Sequence, residues 1–227
     1  MKLEGKKVAF LGDSITEGAG VSDVSCRYDN VLKREKNLFA TYNYGVGGTR
    51  FAYQIMPSDK PAHDLYFCGR AYKMNPDADI IVVYGGVNDY LHGDAPFGKI
   101  GDESPDTFCG ATFFLVKLLK ELYSGAEIVF VTPARCLYGQ SDTVPSVNPI
   151  KKPDAKPLLD YVKVIEETAK QFNIPTLNLY ENLGINPNLQ GDREKYTVDG
   201  LHFNNDGHKV LASLIGEFLE SLEKSDK

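Results

Sequence analysis

The chain has 227 residues, 42% hydrophobic and 25% charged, and a net charge of -6. That is enough apolar material for a sizeable core, and it excludes a disordered chain. The balance is acidic and no basic run exceeds a pair such as Lys6-Lys7 or Lys151-Lys152, which excludes a nucleic-acid-binding face.

Val8 to Leu11 is an apolar run and reads as the first strand. Leu38 to Tyr44 is expected as the second. Ile80 to Tyr84 is β-branched and apolar on both faces, as in a strand buried between two helix layers. Phe113, Leu115, Val116, Leu118, Leu119 and Leu122 form an apolar helical stripe stopped by Ser124-Gly125. Ile128 to Val131 repeats the buried-strand pattern. Leu158, Leu159, Val162, Ile165, Ala169 and Phe172 recur at helical spacing, and Ile174 to Leu179 reads as a fifth strand with Pro175 near its start. Asp206-Gly207 precedes a last helix whose core face is Val210, Leu211, Leu214, Ile215, Phe218 and Leu219. The alternation predicts an α/β sandwich around a parallel sheet with right-handed crossovers. No linker or composition shift divides the chain, so residues 1–227 are expected to form one domain. Two long loops, 91–106 and 133–157, are expected as lids or binding walls, or else as surface insertions.

Cys26, Cys68, Cys109 and Cys136 form no C-x-x-C pair, which argues against zinc and favours reduced thiols. No apolar stretch approaches the roughly 20 residues that cross a bilayer. The amino terminus runs through Lys6-Lys7 into a strand without an apolar leader. A cytoplasmic protein is the expectation; a removed signal peptide would leave the same sequence and a secreted one.

Ligands of parallel α/β sheets bind beyond the carboxyl ends of the strands. Gly12-Asp13-Ser14 stands just after the first strand. Its serine reads either as a helix cap or as a nucleophile. Gly45-Val46-Gly47-Gly48 follows the second strand and serves a positive-φ turn, a close backbone approach, or both. Gly85-Gly86-Val87-Asn88-Asp89 follows the third. Asn88 there is loop chemistry or an amide donor to an oxyanion. Asp199 and His202 stand three residues apart before the last helix, a carboxylate and an imidazole able to activate a hydroxyl. His63 and His92 read as loop histidines and His208 as a surface or capping residue. The Gly12–Ser14 turn also permits a phosphate-binding reading, although no G-x-G-x-x-G or P-loop lysine supports it.

Taken together, the four blocks resemble the SGNH/GDSL hydrolase superfamily of GDSL-like esterases and lipases, over residues 6 to about 219. Ile15 stands where the family name has leucine. The resemblance implies an α/β fold: a three-layer α/β/α sandwich with a central, mostly parallel five-stranded sheet of flavodoxin-like type. It implies Ser14 as nucleophile, His202 as base and Asp199 as its acid partner. It implies an oxyanion hole from Ser14, Gly48 and Asn88, with Gly48 preferred to Gly47 or Gly45. The implied activity is hydrolysis of carboxylic esters through an acyl-enzyme, with no metal or organic cofactor. Short acyl or acetyl esters, including those of sugars, are the expected small-molecule substrates. Asp13, Tyr90, His92, Arg135, Tyr138 and Asn148 are the candidate binding walls. A lipase or thioesterase for longer chains, and a non-catalytic binding protein of the same fold, are the alternatives. Oligomeric state is open.

Overall fold

Strands form on short runs rich in β-branched, aromatic and other apolar residues, with a charge only at the first residue of β1 and of β4. The computed structural model describes residues 1–138 and 148–222. Among them, β1 (Lys7–Gly12), β2 (Ala40–Gly45), β3 (Ile80–Tyr84), β4 (Glu127–Val131) and β5 (Thr176–Leu177) form one sheet in the order β2-β1-β3-β4-β5. Every pairing is parallel, with Val8 opposite Thr41 and Ile80, and Tyr84 opposite Val131.

Side chains alternate across the sheet, so β1, β3 and β4 each feed two cores. Ala9, Leu11, Ile81, Val83, Ile128 and Phe130 pack with α3 (Phe67–Ala71), α5 (Phe108–Leu122) and α7 (Leu158–Gln171). Val8, Phe10, Ile80, Val82, Val129 and Val131 pack with α2 (Tyr28–Glu35) and α10 (Asn205–Ser221). These are the three layers of an α/β/α sandwich. The shorter helices are α1 (Ser14–Glu17), α4 (Val87–Leu91), α6 (Asn148–Lys151), α8 (Leu179–Asn182) and α9 (Gln190–Tyr196). The chain leaves β1 toward one edge to make β2 and crosses back to make β3 on the other side of β1. The connections after β1 and β3 therefore part, opening a crevice at their carboxyl ends. No helix among the described residues is long and apolar enough to cross a membrane.

The structure corrects several expectations. The second strand starts at Ala40, two residues later than its apolar run, because Asn37 takes a positive φ and Phe39 is left 68% exposed at the sheet edge. The fifth is cut to two residues. Pro175 has no N–H for the ladder, and the Asn178 side chain caps α8 by accepting from Glu181 N. Helix α4 takes Leu91 from the first long loop, and α6 lies in the second; residues 139–147 and the Asn148 side chain lie outside the described residues. All four cysteines are free thiols, and burial pushes Cys68, Cys109 and Cys136 up to about 12.

Candidate active site

The end of β1 must turn within two residues. Asp13 caps α1, its Oδ1 accepting from Ile15 N at 3.0 Å. Gly12 is required because a Cβ there would lie 1.9 Å from Thr16 Oγ1. Ser14 opens α1, where a backbone N–H has no acceptor one turn back. The Asp199–His202 loop reaches this point from the other end of the chain. Ser14 Oγ lies 2.9 Å from His202 Nε2, and His202 Nδ1 lies 2.7 Å from Asp199 Oδ2. Asp199 Oδ1 accepts from Leu201 N at 2.9 Å and His202 N at 2.7 Å. Burial raises the Asp199 carboxyl, but these hydrogen bonds and the His202 ring outweigh it and hold the group below its ordinary range. An ionised carboxylate facing Nδ1 keeps the ring proton there and leaves Nε2 free to accept from the serine hydroxyl.

The glycine turn runs beside the serine. Gly47 N donates to Glu17 Oε2 and Gly45 N to Asn43 Oδ1, each at 2.9 Å. The Gly48 N–H has no protein acceptor among the described residues. Gly48 has φ 73° and sits under the His63 ring, 2.5 Å from where a Cβ would stand. Burial, then the Lys60 and Arg50 cations, push His63 below its usual value.

Asn88 enters from the end of β3, after Gly86 at φ 104°. Its Nδ2 donates to Thr49 O at 3.0 Å, tying the amide to the peptide next to Gly48. Its Oδ1 lies 3.0 Å from His92 Nε2. The structure thus brings Ser14, Gly48, Asn88, His202 and Asp199 to one crevice. The His202 side chain is 24% exposed and that of Asp199 38%, so the site is open to solvent.

The other predicted site residues are placed differently from one another. Asp13 is 1% exposed beneath the serine, and burial pushes its carboxyl up to about 6; it caps a helix instead of lining a wall. Tyr90 is fully buried, packed edge-on against Tyr161, with its hydroxyl donating to Tyr138 O at 3.2 Å; it is a core residue. His92 is half-buried behind Asn88 and lines a polar cleft. His208 is fully buried, its Nδ1 accepting from Tyr28 N at 3.2 Å, and is not a surface residue. Arg135 lies over the Tyr180 ring and donates to Tyr180 O at 3.1 Å. It also lines a cavity of about 10 Å³ with Ile15, Tyr84, Val87, Pro133 and Leu201. Tyr138 is 48% exposed.

Three framework groups escaped the sequence reading. Arg70, buried among carbonyls, donates to Gly12 O at 3.0 Å, Thr49 Oγ1 at 2.8 Å and Tyr44 O, clasping the ends of β1 and β2. Asp89 accepts from Phe51 N and Ala52 N at 2.9 and 3.0 Å, fastening the glycine segment to α4. Arg50 donates to His92 Nδ1 at 2.9 Å. Arg50 and His92 line a cleft of about 420 Å³ together with Ser58, Lys60, His63 and Lys151.

The profile of the GDSL-like lipase/acylhydrolase family matches residues 10–210. The chain belongs to this family. Membership places it among the ester hydrolases. A crystal structure of a Lactobacillus plantarum protein is 28% identical over 97% of this chain and 99% of that one, with a TM-score of 0.80. The lipase/acylhydrolase from Enterococcus faecalis shares the fold at 22% identity and TM-score 0.61, with 98% of this chain and 100% of that one covered. A two-domain esterase active on acetylated mannans shares it at 19% identity and TM-score 0.62, with 98% of this chain and 50% of that one covered. No curated protein matches the chain.

Proposed function

We propose that the chain is a serine esterase that removes short acyl groups, acetyl foremost, from polar alcohols such as sugars. The observation that carries the reading is the continuous path from Ser14 Oγ through the His202 ring to Asp199. In the forward step His202 Nε2 takes the Ser14 proton as Oγ bonds to the ester carbonyl carbon. Asp199 stabilises the imidazolium. The negative oxygen accepts from Ser14 N, Gly48 N and Asn88 Nδ2, donors already held in place by the framework. Collapse expels the alcohol with the proton from His202. A water then repeats the sequence on the acyl-serine, releasing the acid.

A short acyl group is supported by the small cavity lined by Ile15 and Leu201, the chain neighbours of Ser14 and His202. Its volume of about 10 Å³ suits one methyl-sized group. The polar cleft beside Gly48 and Asn88, with Arg50, Ser58, Lys60 and Lys151, supports a polar alcohol. Residues 1–227 act as one domain in this reading, since the reacting groups come from both ends of the chain. The four free thiols support a reducing, cytoplasmic setting. The test is a series of p-nitrophenyl esters from two to sixteen carbons together with acetylated sugars. The acetyl esters should have the highest kcat/KM, and Ser14→Ala should abolish turnover. A maximum at long chains would overturn the acyl assignment, and turnover by Ser14→Ala would overturn the nucleophile.

A further inference from the structure

We propose that His92 and Arg50 are positioning residues that lock the Asn88 carboxamide with its NH2 end toward the developing oxyanion. The inference rests on the oxyanion role given to Asn88 above. A carboxamide can be turned over at little steric cost, and only one orientation presents a donor. A guanidinium only donates. Arg50 Nη1, 2.9 Å from His92 Nδ1, therefore makes that nitrogen an acceptor. A neutral ring then carries its proton on Nε2, and that N–H points at Asn88 from 3.0 Å. Only Oδ1 can answer it.

The other end of the amide agrees. Nδ2 faces the Thr49 carbonyl at 3.0 Å, which uses one of its two protons and leaves the second for substrate. Turned over, the amide would set a donor against the His92 N–H and an acceptor against the Thr49 carbonyl. Arg50 is itself held, its side chain 3% exposed, by His63 O at 3.0 Å and Asp64 Oδ1 at 3.3 Å. Burial, then the Arg50 and Lys151 cations, push His92 down to about 4, so the ring stays neutral where an esterase works. A protonated ring would bring an N–H onto the guanidinium.

Two experiments test this. Nitrogen-15 NMR of the histidine-labelled protein reads the tautomer directly, without substrate. A bare Nδ1 and a protonated Nε2 at pH 6–7 are expected for His92; a proton on Nδ1 overturns the proposal. Kinetics on p-nitrophenyl acetate should show kcat of His92→Phe lowered roughly 10- to 100-fold, short of the 10²–10³ for outright loss of a donor. KM should stay within about twofold, as for an interaction made in the transition state. His92→Gln, which keeps a donor near the Nε2 position, should recover to within about threefold of wild type, a rescue that bare space-filling would not produce. In an Asn88→Ala background His92→Phe should have little further effect. A full, additive loss there, a loss confined to KM, or equal losses in Phe and Gln variants of wild-type melting temperature would each overturn the proposal. Turnover by Ser14→Ala sinks the Ser14 nucleophile instead, and the tautomer measurement still decides the relay.

Discussion

Replacing Asp199 by asparagine changes one atom, and the site geometry dictates which hydrogen bonds that atom can make. Asp199 Oδ1 accepts from two backbone N–H groups, Leu201 at 2.9 Å and His202 at 2.7 Å. An asparagine must keep its oxygen there, since its NH2 would meet two donors. The NH2 therefore falls where Oδ2 stood, 2.7 Å from His202 Nδ1. Nδ1 must then accept, the ring proton moves to Nε2, and Nε2 presents a hydrogen to Ser14 Oγ when it should take one. The nucleophile loses its base while the packing is untouched. Inverting the tautomer in a triad of this geometry costs about 10⁴ in kcat, or about 5 kcal/mol. Steady-state hydrolysis of p-nitrophenyl acetate at pH 7 measures it, with circular dichroism and the melting temperature showing that the fold is kept. A loss smaller than tenfold in the folded variant would refute the tautomer argument.

Two further outcomes follow from the same contacts. Gly48→Ala forces a side chain onto a backbone with φ 73° and places its Cβ 2.5 Å from the His63 ring. It should cost about 1–2 kcal/mol of stability and reduce kcat by displacing the Gly48 N–H; unchanged denaturation and kcat would argue against that donor. Burial lowers His208 from 6.5 to about 4. The unfolded chain takes up a proton between those values and the folded chain does not, so stability is full above pH 6.5 and falls as pH drops toward 4. The loss should reach about 3 kcal/mol, read as a fall in melting temperature that is smaller in His208→Gln; equal falls in both proteins would contradict it.

The parts of this molecule that were legible in sequence are those whose signal is local. Ile80–Tyr84 and Ile128–Val131 are apolar on both faces, and the structure buries nearly all of them between helix layers. The edge strands were harder. Every residue of β2 is only half-buried, so its hydrophobic pattern does not mark its ends, and β5 is shortened by Pro175 and the capping role of Asn178. In the crevice, Ser14, Gly48, Asn88, Asp199 and His202 were visible because each stands at the end of an element within a short motif. Asp13 and Tyr90 misled because proximity in sequence to Ser14 and Asn88 says nothing about which way a side chain points. Asn88 and His92 are four residues apart, a spacing that brings side chains together along a helical turn. What that pair does depends on Arg50, 42 residues away, and the sequence carries no mark of it. Arg70 and Asp89 were hidden for the same reason, as their partners belong to other elements.

The central claim is that the Ser14 hydroxyl, with its proton drawn toward His202, attacks the acyl carbon. Treating the protein with a fluorophosphonate and mapping the adduct by peptide mass spectrometry tests it most directly. One phosphonyl group on Ser14, absent in Ser14→Ala and formed much more slowly in His202→Ala, is the predicted result. No adduct, or an adduct at another residue with Ser14 unmodified, would contradict it.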